Sequence, residues 1–438
     1  MNSTASAEAP GTPAAPEITP AYRRYALFML VVVYTSSHVD RNIMAILIEP
    51  IKRDMGWSDV ALGFLAGPAF AMFYATLGIP VAWLADKSNR RNIIAWAIAI
   101  WSAMTALCGL AQNFWQLALA RIGVGVGEAG SSPPSHSMIS DLYPPEKRSR
   151  ALAIYALGVY IGIMLGYLIG GHVSEAVGWR AAFFVVGLPG LIIALLVRFT
   201  LKEPLRGHSE GVAVALEEKV PFTAGFKHIW RSRAARHLVI GCTLTSFVGY
   251  GTVAWNPAYL IRSLGMTEGE VGTMFAPLMG VLGAAGALLG GYLADRLAAR
   301  DRRWNAWIVA LTKAMTVPLL AFFYLATDQI AALLWFAPTI VLGAFYLGPT
   351  FAMIQTLSPP RLRAMSAAIL LLILNLIGLG LGPQLVGVLS EFLRPELGKE
   401  SLRYALLISV AINLWAAGHY VAGGIYFRRE MEAAAAKA

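Results

Sequence analysis

Four charged side chains stand inside otherwise apolar stretches of this sequence: Asp40 and Arg41 in one, Arg121 and Glu128 in another. These residue types suit two kinds of chemistry there. A buried carboxylate beside a movable guanidinium can hold and release a proton, because burial favours the neutral acid and the cation favours its anion. A buried guanidinium can also attract an anionic group. Arg121 and Glu128 are seven residues apart and so share nearly one helix face, separated by about 10 Å along the axis. His38 lies one turn before Arg41, as a packed hydrogen-bonding residue or a protonation site. Ser135-His136-Ser137 has no carboxylate at a useful spacing and reads as a helix end, not a nucleophile. There is no metal-ligand cluster, no Gly-x-x-x-x-Gly-Lys phosphate loop, and Cys108 and Cys242 both sit in apolar blocks. The sequence therefore offers no catalytic residue, metal or cofactor site.

The elements carrying these charges are long and apolar. Of 438 residues 57% are hydrophobic and 14% charged, with a mean hydropathy of +0.60; soluble chains carry about 25% charge. This excludes an ordinary soluble enzyme and indicates an all-α polytopic membrane protein. The blocks predict twelve transmembrane helices, near 24–50, 58–85, 92–111, 114–139, 150–175, 180–200, 234–261, 268–294, 304–327, 329–356, 364–392 and 402–427. An even number of spans puts both termini on one side. Loops on that side hold most of the basic residues, among them Arg90, Arg91, Arg148, Arg150, Arg302 and Arg303. Both termini are therefore expected in the cytoplasm, and the net charge of +10 reflects these loops, not nucleic acid. The expected organisation is a disordered tail (1–22), a six-helix half (23–200), a cytoplasmic linker (201–233), a second six-helix half (234–428) and a short tail (429–438). The linker's Glu217, Glu218 and Lys219 suggest a short amphipathic helix.

The halves repeat. Ala82-Trp-Leu-Ala-Asp86-Lys87 is echoed by Gly291-Tyr-Leu-Ala-Asp295-Arg296, Pro144-Pro145 by Pro359-Pro360, and Trp179-Arg180 by Leu402-Arg403, at offsets of 209 to 223 residues. Paired halves of this kind are a transporter architecture, with a site between them near mid-membrane.

The Asp86 and Asp295 loops resemble the loop signature of the major facilitator superfamily, although Ala82 and Asn89 replace two of its glycines in the first copy. His38-Val-Asp40-Arg41-Asn42 and Arg121-x-Gly-x-Gly-x-Gly127-Glu128 resemble its Spinster-like branch, whose members are associated with sphingolipid and lysophospholipid export. The resemblance implies the major facilitator fold, with spans 1, 4, 7 and 10 around a central cavity and all four charges aimed at it. They form either a structural salt-bridge cluster or a proton relay. In the relay, Glu128 is the carrier, Asp40 a carrier or arginine partner, and Arg41 or Arg121 attracts an anionic head group. Asp40 and Arg121 come out level in the membrane, which predicts that they pair. Asp86 would cap span 11 and Asp295 span 5, with Arg90, Arg91, Arg148 and Arg150 as further gating candidates. Lys313, in peripheral span 9, reads as a stem along apolar surface.

Spans 7 and 10 have no charge in their central parts and offer Tyr250, Trp255, Asn256, Phe345 and Tyr346 as substrate contacts. One charged wall and one aromatic wall suit an amphipathic anion; the alternative is a small organic anion or drug. The expectation is a non-enzymatic, monomeric, proton-gradient-driven carrier in a bacterial inner membrane. Small residues at Gly158, Gly162, Gly166 and Gly170 in span 5, and at Gly283, Ala287 and Gly291 in span 8, predict close helix contacts.

Overall fold

The computed structural model describes residues 18–206 and 221–436, apart from the side chains of Asp86 and Ala435. Most of the expected tail and the stretch around Glu217, Glu218 and Lys219 lie outside these residues. Span 1 is α1 (Pro20–Met55). It begins inside the expected tail, because Thr19 caps it by accepting from the Tyr22 N–H at 3.2 Å and Pro20 fits a first turn. Span 2 is α2 (Asp59–Ala66) continued by α3 (Pro68–Lys87), and span 3 is α4 (Arg90–Cys108). Span 4 is α5 (Phe114–Glu128) continued by α6 (Ser132–Leu142); spans 5 and 6 are α7 (Pro145–Val177) and α8 (Trp179–Thr200). After the linker helix α9 (Phe222–Arg231), span 7 is α10 (Arg233–Leu264). Span 8 is α11 (Glu268–Pro277), a π-helical turn and α12 (Gly283–Ala298); span 9 is α13 (Trp304–Leu325). Span 10 is α14 (Gln329–Gly343) and α15 (Leu347–Leu357). Span 11 is α16 (Arg363–Ile373), a second π-helical turn and α17 (Gly380–Leu397), and span 12 is α18 (Ser401–Ala435), which runs through most of the expected second tail.

Among the described residues, nine stretches are long and apolar enough to cross a membrane on their own composition. The last of these, Pro360–Ala434, contains both spans 11 and 12. Spans 1 and 4 fall outside the nine, and they are the helices that carry Asp40, Arg41, Arg121 and Glu128. Together these account for twelve spans.

Five spans are interrupted. Pro133 and Pro134 follow the break between α5 and α6, Pro349 follows that between α14 and α15, and Pro68 opens α3. Proline lacks the N–H that would continue the ladder but fits a first turn. The π-helical turns Leu278–Leu282 and Leu374–Leu379 interrupt spans 8 and 11. The interruptions of spans 4 and 10, residues 129–131 and 344–346, are 215 residues apart. That is also the spacing of Pro144 and Pro359, so the repeat extends to the backbone breaks.

Glycines set the close approaches. A Cβ on Gly162 would meet His38 Cβ at 2.5 Å and the Thr35 carbonyl at 2.6 Å, so α7 rides directly on α1. Gly158, Gly166 and Gly170 face the same helix. In α12 of span 8 the tight positions are Gly283, Gly286 and Gly290, whereas Gly291 has open space around it and makes no such contact.

The halves are joined by ion pairs at the end opposite the termini. Arg262 on α10 reaches Asp59 and Glu49, both at 2.8 Å, and Arg53 reaches Glu268 at 3.1 Å. Lys52 also pairs with Asp59, whose other oxygen accepts from Ser390 at 2.6 Å. Every inter-half ion pair among the described residues lies at this end. At the same end, Arg180 and the Trp179 indole both donate to Asp54, the indole at 3.0 Å.

Candidate functional site

The four charges come together, but not in the expected pairs. Arg41 Nη2 lies 2.6 Å from Glu128 Oε2, which also accepts from Ser37 Oγ at 3.0 Å. Glu128 ends α5 at the break, where the chain turns away, and its side chain is 0% exposed against 14% for Arg41. Phe70 and Tyr74 of α3 flank the Arg41 guanidinium at 5.0 and 4.5 Å. Asp40 points the other way, into the first half, and accepts from the Trp101 indole of α4 at 3.1 Å. Arg121 meets the Asp40 backbone carbonyl at 3.5 Å, not its carboxylate, and packs over Phe70. The expected Asp40–Arg121 ion pair is therefore corrected to Arg41–Glu128. The reason is rotational: Asp40 and Arg41 are successive on a helix, so they project about 100° apart and cannot serve the same partner.

The network is incompletely satisfied. Glu128 Oε1, Asp40 Oδ1 and Arg121 Nε are buried without a hydrogen-bond partner; Thr105, with its own hydroxyl unpartnered, stands near Asp40. Buried polar groups are usually paired, and exceptions in a native fold mark places where a water, an ion, a proton or a rearrangement can supply the partner.

A cavity of about 350 Å³ lies between the halves. His38, Arg41 and Asn42 line it from α1, and Tyr160 from α7. The His38 ring donates from Nδ1 to the Tyr34 carbonyl at 2.9 Å, so in the neutral ring Nε2 is an acceptor. Tyr250, Asn256 and Tyr346 line it from the second half. Arg121 and Glu128 lie behind the wall. Trp255 and Phe345 are not in the lining: Trp255 donates to the Pro383 carbonyl at 2.8 Å, and Phe345 packs beneath Gly290. An aromatic residue type does not by itself distinguish packing from lining.

Lys313 is the largest departure from expectation. It is 4% exposed and lines the cavity. Its Nζ donates to the Gly343 carbonyl at 2.8 Å and stands 4.9 Å from the Tyr346 ring centre. The second wall therefore carries a cation. A signal was present in the sequence, because Thr312, Lys313 and Thr316 form a polar patch on one face of an otherwise apolar helix. Asn413 on α18, also a lining residue, was not singled out either.

The gating candidates are distributed differently. Asp86 has its side chain outside the described residues. Asp295 is exposed, and no hydrogen bond among the described residues links it to the start of α7. Arg90 is a fixed staple within the first half: it is buried, and it bonds Asp141, Glu203 at 2.6 Å and the Pro204 carbonyl at 2.8 Å. Arg91 reaches the Leu201 carbonyl and Arg148 the Ser140 carbonyl, while Arg150 is exposed.

Two six-helix repeats around a central cavity, with interrupted helices at the cavity wall, define a secondary carrier. The family model described as Major Facilitator Superfamily matches residues 30–383, and the chain belongs to that superfamily. It is 35% identical over 407 residues to an MFS-type efflux pump of Mycolicibacterium smegmatis, covering 93% of this chain and 94% of that one. It is 26% identical over 439 residues to protein spinster homolog 1 of Xenopus tropicalis, covering 94% and 83%. A crystal structure of a bacterial homologue of the human lysosomal transporter Spinster, inward-facing and unoccupied, superposes with a TM-score of 0.86 at 31% identity, covering 94% of this chain and 99% of that one.

Proposed function

We propose that this carrier is proton-coupled, works by alternating access and moves an amphipathic, lipid-like anion of the lysophospholipid or sphingolipid type. The observation that carries the reading is the Arg41–Glu128 pair. Arg41 faces the cavity, while Glu128 lies behind it with one oxygen unpartnered. A proton on Glu128 removes the negative charge that occupies Arg41 and frees the guanidinium for a substrate anion. Proton and anion binding then favour each other, and by linkage the effect is reciprocal. Asp40 and Arg121 form the second layer of the cluster. The lining between the polar points is largely apolar, with Met44, Ile163, Val248, Met279, Leu320 and Phe336 available to an acyl chain.

Basic residues cluster on the side of the termini, so the termini are cytoplasmic. The ion-paired end then faces outward and the conformation is inward-facing. The setting is a bacterial inner membrane and the working unit a monomer. Transport of small organic anions or drugs is the second reading. It is favoured by Lys313, which gives the second wall a cation that a short anion could also use.

Reconstituted liposomes test the proposal. With an imposed pH gradient, the wild-type protein accumulates a lysophospholipid faster than a short-chain anion bearing the same head group. Glu128→Gln abolishes gradient-driven flux while binding persists. Unchanged gradient-driven flux in that variant overturns the coupling role.

A further inference from the structure

The backbone offset of 215 residues that relates the breaks in spans 4 and 10 also takes Glu128 onto Gly343. Each of these residues is the last of its helix before the break. Each is met by a cation that lines the cavity: Glu128 by Arg41 at 2.6 Å, and the Gly343 carbonyl by Lys313 at 2.8 Å. The two positions differ in charge. Arg41 is neutralised by a carboxylate, whereas Lys313 meets a neutral carbonyl and the face of the Tyr346 ring, and no ion pair among the described residues involves it.

We propose that Lys313 is the anion-binding residue of the cavity, and that the negative charge missing from the second half is supplied by the substrate's phosphate or carboxylate. This rests on the amphipathic-anion reading above and fixes the end of the cavity to which the head group goes. It moves the main anchor of the head group from the first wall to Lys313 and leaves Arg41 to meet the same anion from the opposite wall when Glu128 is protonated. An ammonium has three N–H donors; the Gly343 carbonyl takes one, and the others remain for a ligand in the cavity. Burial makes an unpaired cation costly, so a site holding one favours an anion strongly. Two further polar atoms in this wall are buried and unpartnered, Thr245 Oγ1 and Asn413 Oδ1, and both residues line the cavity. Thr245 can donate to an anion, and Asn413 can accept from a hydroxyl or amine on the same head group. Arg41 is left to exchange between Glu128 and the substrate as the proton comes and goes, while Lys313 holds the anion throughout.

The experiment compares palmitoyl lysophosphatidylglycerol with monopalmitoylglycerol, which has the same tail and no charge. Binding to purified protein is measured for wild type, Lys313→Met and Lys313→Arg. Wild type prefers the anionic lipid. Lys313→Met weakens binding of the anionic lipid on the order of tenfold or more, the loss of one charge-assisted contact, and leaves the neutral lipid unchanged. Lys313→Arg keeps most of the preference. Should Lys313→Met weaken both lipids equally, Lys313 only braces the α14 break and the proposal fails. Should it retain the full anionic preference, the head group lies elsewhere and the proposal also fails. A wild type that does not distinguish the two lipids overturns the anionic-amphipath reading itself. Glycerol phosphate, the tail-less probe, binding wild type as tightly as the lysolipid would move the substrate class to small anions while leaving Lys313 as its anchor. The unliganded melting temperature of each variant separates misfolding from lost recognition.

Discussion

Breaking the Arg41–Glu128 pair gives the most direct test of the site's electrostatics. Arg41→Met leaves Glu128 fully buried with Ser37 as its one hydrogen-bond donor. Removing one partner of a buried pair costs about 3–5 kcal/mol, because the remaining charge is uncompensated. Glu128→Gln costs less. Arg41 keeps its contacts with Phe70 and Tyr74 at 5.0 and 4.5 Å, worth about 1 kcal/mol together, and its side chain reaches the cavity. About 2–3 kcal/mol is expected for that variant. The double variant carries neither charge, so its cost falls below the sum of the single costs by roughly 2 kcal/mol or more. The same cycle on Asp40→Asn and Arg121→Met gives a coupling under about 1 kcal/mol, since Arg121 touches the Asp40 backbone at 3.5 Å and Trp101 holds the carboxylate. The measurement is reversible unfolding in mixed micelles at one fixed pH. Additivity of the Arg41 and Glu128 changes within about 0.5 kcal/mol, or a larger coupling for Asp40 and Arg121, refutes the assignment of partners.

Two other expectations follow from the packing. Replacing Arg262 with Ala removes the cation shared by Glu49 and Asp59, so spin-label distances across the end opposite the termini lengthen and the population open there rises; unchanged distances would show that this cluster does not hold the halves together. Gly162→Leu drives a side chain into α1 where even a Cβ would lie 2.5 Å from His38 Cβ, and it costs several kcal/mol by overpacking, on the order of 3. Gly291→Leu, in open space, leaves melting within about 0.5 kcal/mol of wild type, and equal losses for the two would contradict the helix contacts described.

The spans and the repeat were legible because each rests on a local signal. About 20 apolar residues are needed to cross the hydrocarbon, and Asp86/Asp295 and Pro144/Pro359 mark the same places in both halves. The buried charges were legible for the same reason, since a charge inside an apolar block stands out. Their partners were not. Whether Glu128 meets Arg41 or Arg121 depends on how α1 is rotated about its axis, and that follows from the seating of α1 on the glycine face of α7. Lys313 was misread because its helix is peripheral in the family. A peripheral axis does not prevent a long side chain from entering the cavity when the helix presents its polar face inward. Trp255 and Phe345 were misassigned because an aromatic side chain satisfies a core and a ligand wall equally well.

The repeat also bears on how a two-fold scaffold can serve two ligands. Identical halves would place the same charges on both walls, and a proton on either carboxylate would free an equivalent cation for the anion. Here the backbone break is retained at both positions while the side chains differ. The first half supplies a carboxylate where the second supplies only a main-chain carbonyl, and its cation comes from span 1 while the other comes from span 9. The first wall can therefore change charge by taking a proton at Glu128, whereas the second has no carboxylate, and Lys313 holds its own proton most firmly when an anion lies beside it. An anion bridging the walls would feel the first wall become more positive on protonation while its hold on the second stayed constant. That difference lets a proton alter substrate affinity without the binding site being dismantled. In the proposed mechanism, coupling would reside in Arg41 changing partner, with the repeat's shared geometry keeping both walls in register as the halves move.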